Sequence, residues 1–216
     1  MSLKKYDDEL RKKFNVDYII GADEAGRGAW AGPIVGAAVC FDKSFDNDSI
    51  RDSKTINEHD TRIKIAELIK ENALYWHVEM CTACFIDENG ITQANKIVLE
   101  SSCSSIASKT QEPCLFVIDQ SPASGLKPLV MTPKADSKSL TVAAASILAK
   151  TSRDLMMIDF HEVYPNFNFQ NHKGYVNNEH IEEVKKYGRI EYVHRMSYKV
   201  AAIQDTLLQQ LSIFDV

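Results

Sequence analysis

Two acidic side chains, Asp23 and Glu24, stand next to each other at the end of the apolar run 16–22 ("VDYIIGA"), just before the turn Gly26–Arg27–Gly28. Asp119 closes a second apolar run, 114–119 ("CLFVID"), and Asp136 follows a third candidate run, 129–133, in "TPKADSKSL". Converging carboxylates repel one another unless positive charge lies between them. Hard divalent cations bound through oxygen supply that charge, and Mg²⁺ commonly takes one or two protein carboxylates together with substrate phosphate. Two such ions held close together activate water and stabilise the leaving oxygen in phosphodiester hydrolysis. A plainer reading stays open, because Asp and Glu after a strand also serve turns and helix starts. Gly21 and Gly26 match the outer glycines of a phosphate loop. That loop's Lys and Ser/Thr are absent here, and acids inside it would repel phosphate.

Four acids act together only if the elements carrying them end at one place. The charged stretch up to about Asn15 reads as a short helix, 16–22 as a buried strand and 32–41 ("GPIVGAAVCF") as a second strand joined to it in a hairpin. Asn57 and Asp60 suit the start of a helix running to about Asn72, with Ile63, Ala66, Leu68 and Ile69 on one face. In 74–80, Leu74, Trp76, Val78 and Met80 alternate with polar or aromatic neighbours, the period of a strand. A helix is expected over 91–108 and strands over 114–119 and 129–133. The helical signal of 138–162 is strong, and its Ala143, Ala144, Ala145 and Ser146 allow close approach to a sheet. Asn178 is expected to cap a helix that stops before Gly188, and 197–211 is expected to form a last amphipathic helix with a short tail. The expected fold class is α/β: a central mixed sheet flanked by helices in one domain, 1–216, with a helical C-terminal extension of about 178–209 and a free tail at 210–216. Strand ends cluster on one side of such a sheet, so Asp23, Glu24, Asp119 and Asp136 can converge.

Composition narrows the class. With only 9 Gly and 6 Pro in 216 residues and no repeat, the chain is neither fibrous nor low-complexity. No apolar run approaches the roughly 20 residues that span a bilayer. The charged start "MSLKKYDDELRKKF" is no secretory signal, so a cytoplasmic protein is expected. Five cysteines make an odd count without framework spacing, as for reduced thiols. Cys81 and Cys84 form C-x-x-C without a second pair at zinc spacing, and read best as small hydrophobes near a strand end. A net charge of −5 argues against non-specific nucleic-acid binding but leaves a local basic groove open.

The chain resembles the bacterial ribonuclease HII family from Tyr18 to about Tyr198. The resemblance rests on "GADEAGRG", "AGPIVGAAV", "DSK" at 52–54, "VID" at 117–119, "KADSKS" at 134–139, "AAASILAKTSRD" at 143–154, "YPNFNFQNHKGY" at 164–175 and "HRMSY" at 194–198. It implies an RNase H-like fold and an endonuclease that cuts RNA in RNA–DNA hybrids, including a single ribonucleotide embedded in duplex DNA. Cleavage is expected 5′ to the ribonucleotide, leaving a 3′-hydroxyl and a 5′-phosphate, with two Mg²⁺ or Mn²⁺ ions as cofactor. By the same resemblance Asp23, Glu24, Asp119 and Asp136 ligate metal. Gly26, Arg27 and Gly28 present backbone groups to the 2′-hydroxyl, and Tyr175 stacks beneath the sugar at the RNA-to-DNA junction.

Around these positions lie Lys54, Lys134, Lys138, Lys150, Arg153, Lys173, His194 and Arg195. Elsewhere they would be solvated charges; flanking an acidic site they are expected to contact phosphates. Three positions depart from the family pattern: Ala29 stands where Pro is expected, and Ala135 and Gln120 each stand where Gly is expected. Two other readings remain beside the nuclease, a different two-metal enzyme on the same fold and a non-catalytic hybrid-binding module. At the C-terminus, Gln210, Leu211, Ser212, Ile213 and Phe214 resemble the pentapeptide that binds the bacterial sliding clamp, so a clamp is an expected partner. The alternative is a helix end folded back on the core.

Overall fold

β1 (Tyr18–Ala25) begins with an aromatic and two β-branched residues, which suit a strand covered on both faces. In the computed structural model, which describes residues 2–50, 59–110, 112–119, 123 and 125–199, it is the centre of a five-stranded sheet. β1 pairs antiparallel with β2 (Ile34–Cys40), and β2 pairs antiparallel with the edge strand β3 (Tyr75–Cys81). On its other side β1 runs parallel to β4 (Cys114–Ile118), which runs parallel to the short edge strand β5 (Leu129–Met131). The hairpin and the mixed sheet are as expected from the sequence.

Helices α1 (Leu3–Phe14), α2 (His59–Asn72), α3 (Ala83–Asn89) and α4 (Ile91–Ala107) precede β4, and α5 (Leu140–Val163), α6 (Phe169–His172) and α7 (Asn178–Tyr187) follow β5. Side chains alternate between faces along a strand. Ile20 and Ala22 therefore point one way, packing with Ala94, Val98 and Leu99 of α4. Ile19 points the other way, against Val142 of α5, where Ala37 and Val39 of β2 meet Ala143 and Ala144. The small residues of α5 bring its backbone down onto Gly21, where an added Cβ would lie 2.4 Å from Thr141 C and Val142 N. Because that obstacle is backbone, Gly21→Ala is expected to lower stability by about 2–3 kcal/mol, the scale of forced overpacking. Urea denaturation checks it, and an unchanged midpoint contradicts the packing described.

Several boundaries differ from expectation for local reasons. Asn177, not Asn178, caps α7, its side chain accepting from His180 N. Trp76 and Met80 of β3 remain partly exposed because β3 is an edge strand, while Tyr75 packs against the α4 side. Residues 197–199 are not helical, since Tyr198 N turns back to Arg195 O. The rest of the helix expected over 197–211 lies outside the described residues, as do the tail, Lys54 and Gln120. Ala135 is buried against Leu10, Leu115 and Val117, so its methyl group is accommodated where a glycine was expected. The Cys81 thiol lies 3.9 Å from Ala94 O within the α4-side cluster, a packed position of the kind read from its type. Among the described residues no helix is long and apolar enough to cross a membrane.

Candidate active site

The parallel register sets the site. Ala22 is opposite Ile118, so Asp23 on β1 and Asp119 after β4 each come one residue past that pair. Met131 of β5 is likewise opposite Ile118, and the chain then turns through a 3₁₀ segment, Ala135–Ser137, that carries Asp136. Lys134 N donates to Asp119 Oδ1 at 3.1 Å, tying this turn to the end of β4. The turn depends on Lys134 adopting a left-handed conformation, φ 56°.

Strand alternation separates the adjacent acids. Asp23 lies on the α5 face, where Ser146 hydrogen-bonds it, and Glu24 lies on the α4 face, where Asn95 Nδ2 donates to Oε1 at 3.4 Å. Charge couples the four across the sheet end: Asp23 feels Glu24 and Asp136, and Glu24 feels Asp119. Burial, reinforced by Glu24, pushes the Asp23 carboxyl up to about 8. Burial also raises Glu24, opposed by the nearby Arg27 and assisted by Asp119. Asp136 is 4% exposed. Buried acids held close enough to raise one another are the setting in which a cation lowers the free energy.

All the donors are hard oxygens, which suits Mg²⁺ or Mn²⁺ rather than a thiophilic metal. Asn95, fully buried on α4, adds an oxygen, Oδ1, that has no hydrogen-bond partner among the described residues. The residues thus fit a hard divalent ion by donor type. Among the described residues, no three His, Cys, Asp or Glu side chains are already arranged around a common metal position.

The loop 26–33 leaves the site and is held by two buried arginines. Arg195 donates from Nη2 to Gly26 O at 2.7 Å, from Nη1 to Arg27 O at 3.0 Å and from Nε to Gly32 O at 3.1 Å. Arg153 donates to Pro33 O, Ala31 O and Lys173 O at 2.9, 3.0 and 2.9 Å. Gly26, at φ +93°, has no room for a side chain because Arg153 lies where the Cβ would be. Arg27 and Gly28 are left exposed. Trp30 N and Ala31 N both donate to Gly174 O, so the loop is pinned to the segment carrying Tyr175. The Tyr175 ring is partly exposed, with Arg153 5.1 Å and Lys150 5.7 Å from its centroid.

This corrects three of the expected phosphate contacts. Arg153 and Arg195 are fully buried, and their guanidinium groups serve backbone carbonyls; His194 is buried among aromatic rings. They shape the site instead of lining it. Lys134 and Lys138 are exposed, and Lys138 Nζ donates to Thr132 Oγ1 at 3.0 Å. Lys150 pairs with Asp154 at 2.6 Å, and Lys173, in a left-handed turn, donates to Gln170 O. Nothing in the motifs of the sequence marks Asn95 or Ser146 as a site residue. Each is nonetheless a polar residue interrupting an apolar helix face.

A mixed sheet with helices on both faces and acids at the ends of parallel strands defines an RNase H-like α/β protein. Ribonuclease H2 from Pyrococcus horikoshii superposes with a TM-score of 0.68 at 22% identity, covering 89% of this chain and 99% of that one. The RNase HII of a PCNA:RNase HII complex from Archaeoglobus fulgidus gives 0.66 at 28% identity, covering 84% and 95%. A family model described as Ribonuclease HII matches residues 20–201. The ribonuclease HII of Acholeplasma laidlawii is 39% identical over 185 residues, 86% of this chain and 89% of that protein. The chain belongs to the ribonuclease HII family, and it is an enzyme.

Proposed function

We propose that the protein is an endonuclease that hydrolyses RNA in RNA–DNA hybrids and cuts duplex DNA on the 5′ side of a single embedded ribonucleotide. The observation that carries this reading is the shared scaffold of two loops. Arg153 and Arg195 fix the exposed Arg27–Gly28 turn and Tyr175 relative to one another, next to the end of β1 that carries Asp23 and Glu24. Asp23, Glu24, Asp119 and Asp136 would hold two Mg²⁺ or Mn²⁺ ions. When bound, such ions supply activation of water and charge compensation on the leaving oxygen. Asp23, raised by burial, would have to lose its proton to act as a ligand, so metal affinity is expected to rise with pH. The carbonyls of Gly26 and Arg27 already accept from Arg195, so the N–H groups of the turn meet the 2′-hydroxyl, the group that marks RNA. Lys138, Lys150 and Lys173 contribute phosphate contacts, and Lys54 is assigned the same role from the sequence. A labelled duplex with one ribonucleotide tests the reading: one cut 5′ to it, leaving 3′-hydroxyl and 5′-phosphate ends, is expected. A 2′,3′-cyclic phosphate product contradicts it.

Tyr175 reads the RNA-to-DNA junction by stacking under the neighbouring sugar. Tyr175→Ala is expected to slow cleavage at a lone ribonucleotide by the equivalent of roughly 1–3 kcal/mol, the scale of base–aromatic stacking. Cleavage of a uniform hybrid should change less, and Tyr175→Phe should retain most activity. Equal losses on both substrates argue against a junction role.

The tail 210–216 docks on a sliding clamp through Gln210, Leu211, Ile213 and Phe214, which raises the enzyme's concentration near replicated DNA and serves ribonucleotide removal in a cytoplasmic setting. The Archaeoglobus fulgidus protein, seen with PCNA, supports a clamp as partner. Deleting 210–216 is expected to abolish clamp binding by calorimetry while sparing cleavage of short duplexes. Absence of binding by the intact protein at tens of micromolar contradicts the assignment.

A further inference from the structure

Three histidines that nothing in the chemistry above uses lie in a row beneath the Tyr175 segment. His172 is 7% exposed, His180 0% and His194 1%, and they come from α6, α7 and the loop that precedes Arg195. Backbone donors at both ends fix their proton positions, since an N–H can only donate. Ile190 N donates to His194 Nδ1 at 2.9 Å, so the His194 proton is on Nε2. That Nε2 lies 3.1 Å from His180 Nε2, which must accept, leaving the His180 proton on Nδ1. His180 Nδ1 in turn donates to Tyr175 O at 3.0 Å. Separately, Gly174 N donates to His172 Nδ1 at 3.1 Å, so His172 carries its proton on Nε2 and donates to Glu183 Oε2 at 3.0 Å. The His172 and His180 rings stack at 4.2 Å.

We propose that His172, His180 and His194 are positioning residues, a neutral relay that hydrogen-bonds the Gly174 amide and the Tyr175 carbonyl and so sets Tyr175 relative to the loop 26–33. One backbone group of each of two adjacent residues is held by a histidine, and the Gly174 carbonyl between them is held by Trp30 N and Ala31 N. Protonating His180 would set N–H against N–H at His194, and protonating His172 would do so at Gly174. The second event breaks the bond to the Gly174 amide, and the first breaks the bond to His194 that orients His180 toward Tyr175 O.

The surroundings keep the rings neutral. Burial lowers His172 and His180 to about 4 and His194 to about 3. The neighbouring rings, with His161, Lys173 and Arg189, push the same way, while Glu179 and Glu183 oppose them. As bases with depressed values, they contribute stability above their ordinary pKa near 6.5, and it is lost as pH falls toward 4.

The proposal rests on Tyr175 as junction reader, and its test separates the two. Long-range ¹H–¹⁵N spectra of the full chain at pH 6 should show His180 as the Nδ1–H form and His172 and His194 as Nε2–H forms, all neutral. His180→Asn places an amide donor where Nδ1 stood, whereas His180→Gln reaches only the Nε2 position. The Gln variant is expected to lose about tenfold in kcat at a lone ribonucleotide, on the order of one hydrogen bond. The Asn variant should stay within about twofold, and the uniform hybrid should be cut alike by both. An Nε2–H form of His180, a charged ring at pH 6, or equal losses in both variants overturns the relay. Failure of the junction reading shows differently, as a Tyr175→Ala protein with an unchanged substrate ratio and the tautomers intact.

Discussion

Asp119→Asn and Asp136→Asn are each expected to abolish cleavage to within the detection limit of a steady-state assay while leaving affinity for hybrid nearly unchanged. Asparagine keeps the size and one oxygen of each side chain but removes the charge that compensates a divalent ion. Loss of one group that stabilises charge developing in a transition state costs two to three orders of magnitude in rate. Binding survives because nucleic-acid affinity comes mostly from cation–phosphate pairs, which these acids do not make. Asp136 is buried in the short turn that Lys134 N ties to Asp119, so its variant should be checked for an unchanged fold by circular dichroism. Single-turnover cleavage and filter binding on one substrate decide the matter. Near-normal turnover at saturating Mg²⁺ would remove these residues from the site.

The second large effect falls on stability. Asp23→Asn should abolish cleavage and at the same time make the metal-free protein more stable at neutral pH. The folded protein holds the Asp23 carboxyl near 8, against an ordinary value of 3.8. Its sign is therefore the reverse of a salt-bridged acid: the favourable contribution is complete below about 4 and is lost as pH rises toward 8. At pH 7 the wild-type protein bears a cost on the order of 4 kcal/mol, which asparagine avoids. A net gain of about 1–3 kcal/mol is expected once the new amide's own desolvation is counted. Asp7, pushed up to about 6 by burial against the start of α5, adds to the same slope between about pH 4 and 6. Urea midpoints at pH 5 and pH 8 in chelator check it. The variant's advantage should widen with pH and shrink when Mg²⁺ is added. A variant less stable than wild type at pH 8 contradicts the assignment of Asp23 as a strained buried acid.

Much of the sheet was legible because each strand carries its own signal. Tyr18–Ile20 and Leu115–Ile118 are short apolar runs that stop at acids, and period two in 75–81 marks the edge strand. The small residues of α5 announced its close seat on β1, which Gly21 completes. The two faces occupied by Asp23 and Glu24 follow from strand alternation alone, although side-by-side spelling suggests a pair acting together. Arg153 and Arg195 were misread because an arginine is ordinarily a surface residue. What buries them is a loop with many unpaired carbonyls, contributed from 120 to 169 positions away in the chain. No local pattern encodes such partners. His172, His180 and His194 sit on three different elements without common spacing, so only folding brings them together. Asn95 could have been found, as the one amide in the stripe of Ala94, Val98 and Leu99.

The proposed cleavage depends on carboxylates that work through divalent ions at an RNA-containing junction. Its most direct test is single-turnover cleavage of a duplex bearing one ribonucleotide, first in excess chelator and then across a Mg²⁺ titration. No cleavage in chelator, full recovery on adding Mg²⁺, and one product cut 5′ to the ribonucleotide are the predicted results. Cleavage at an equal rate in chelator would contradict a role for divalent ions.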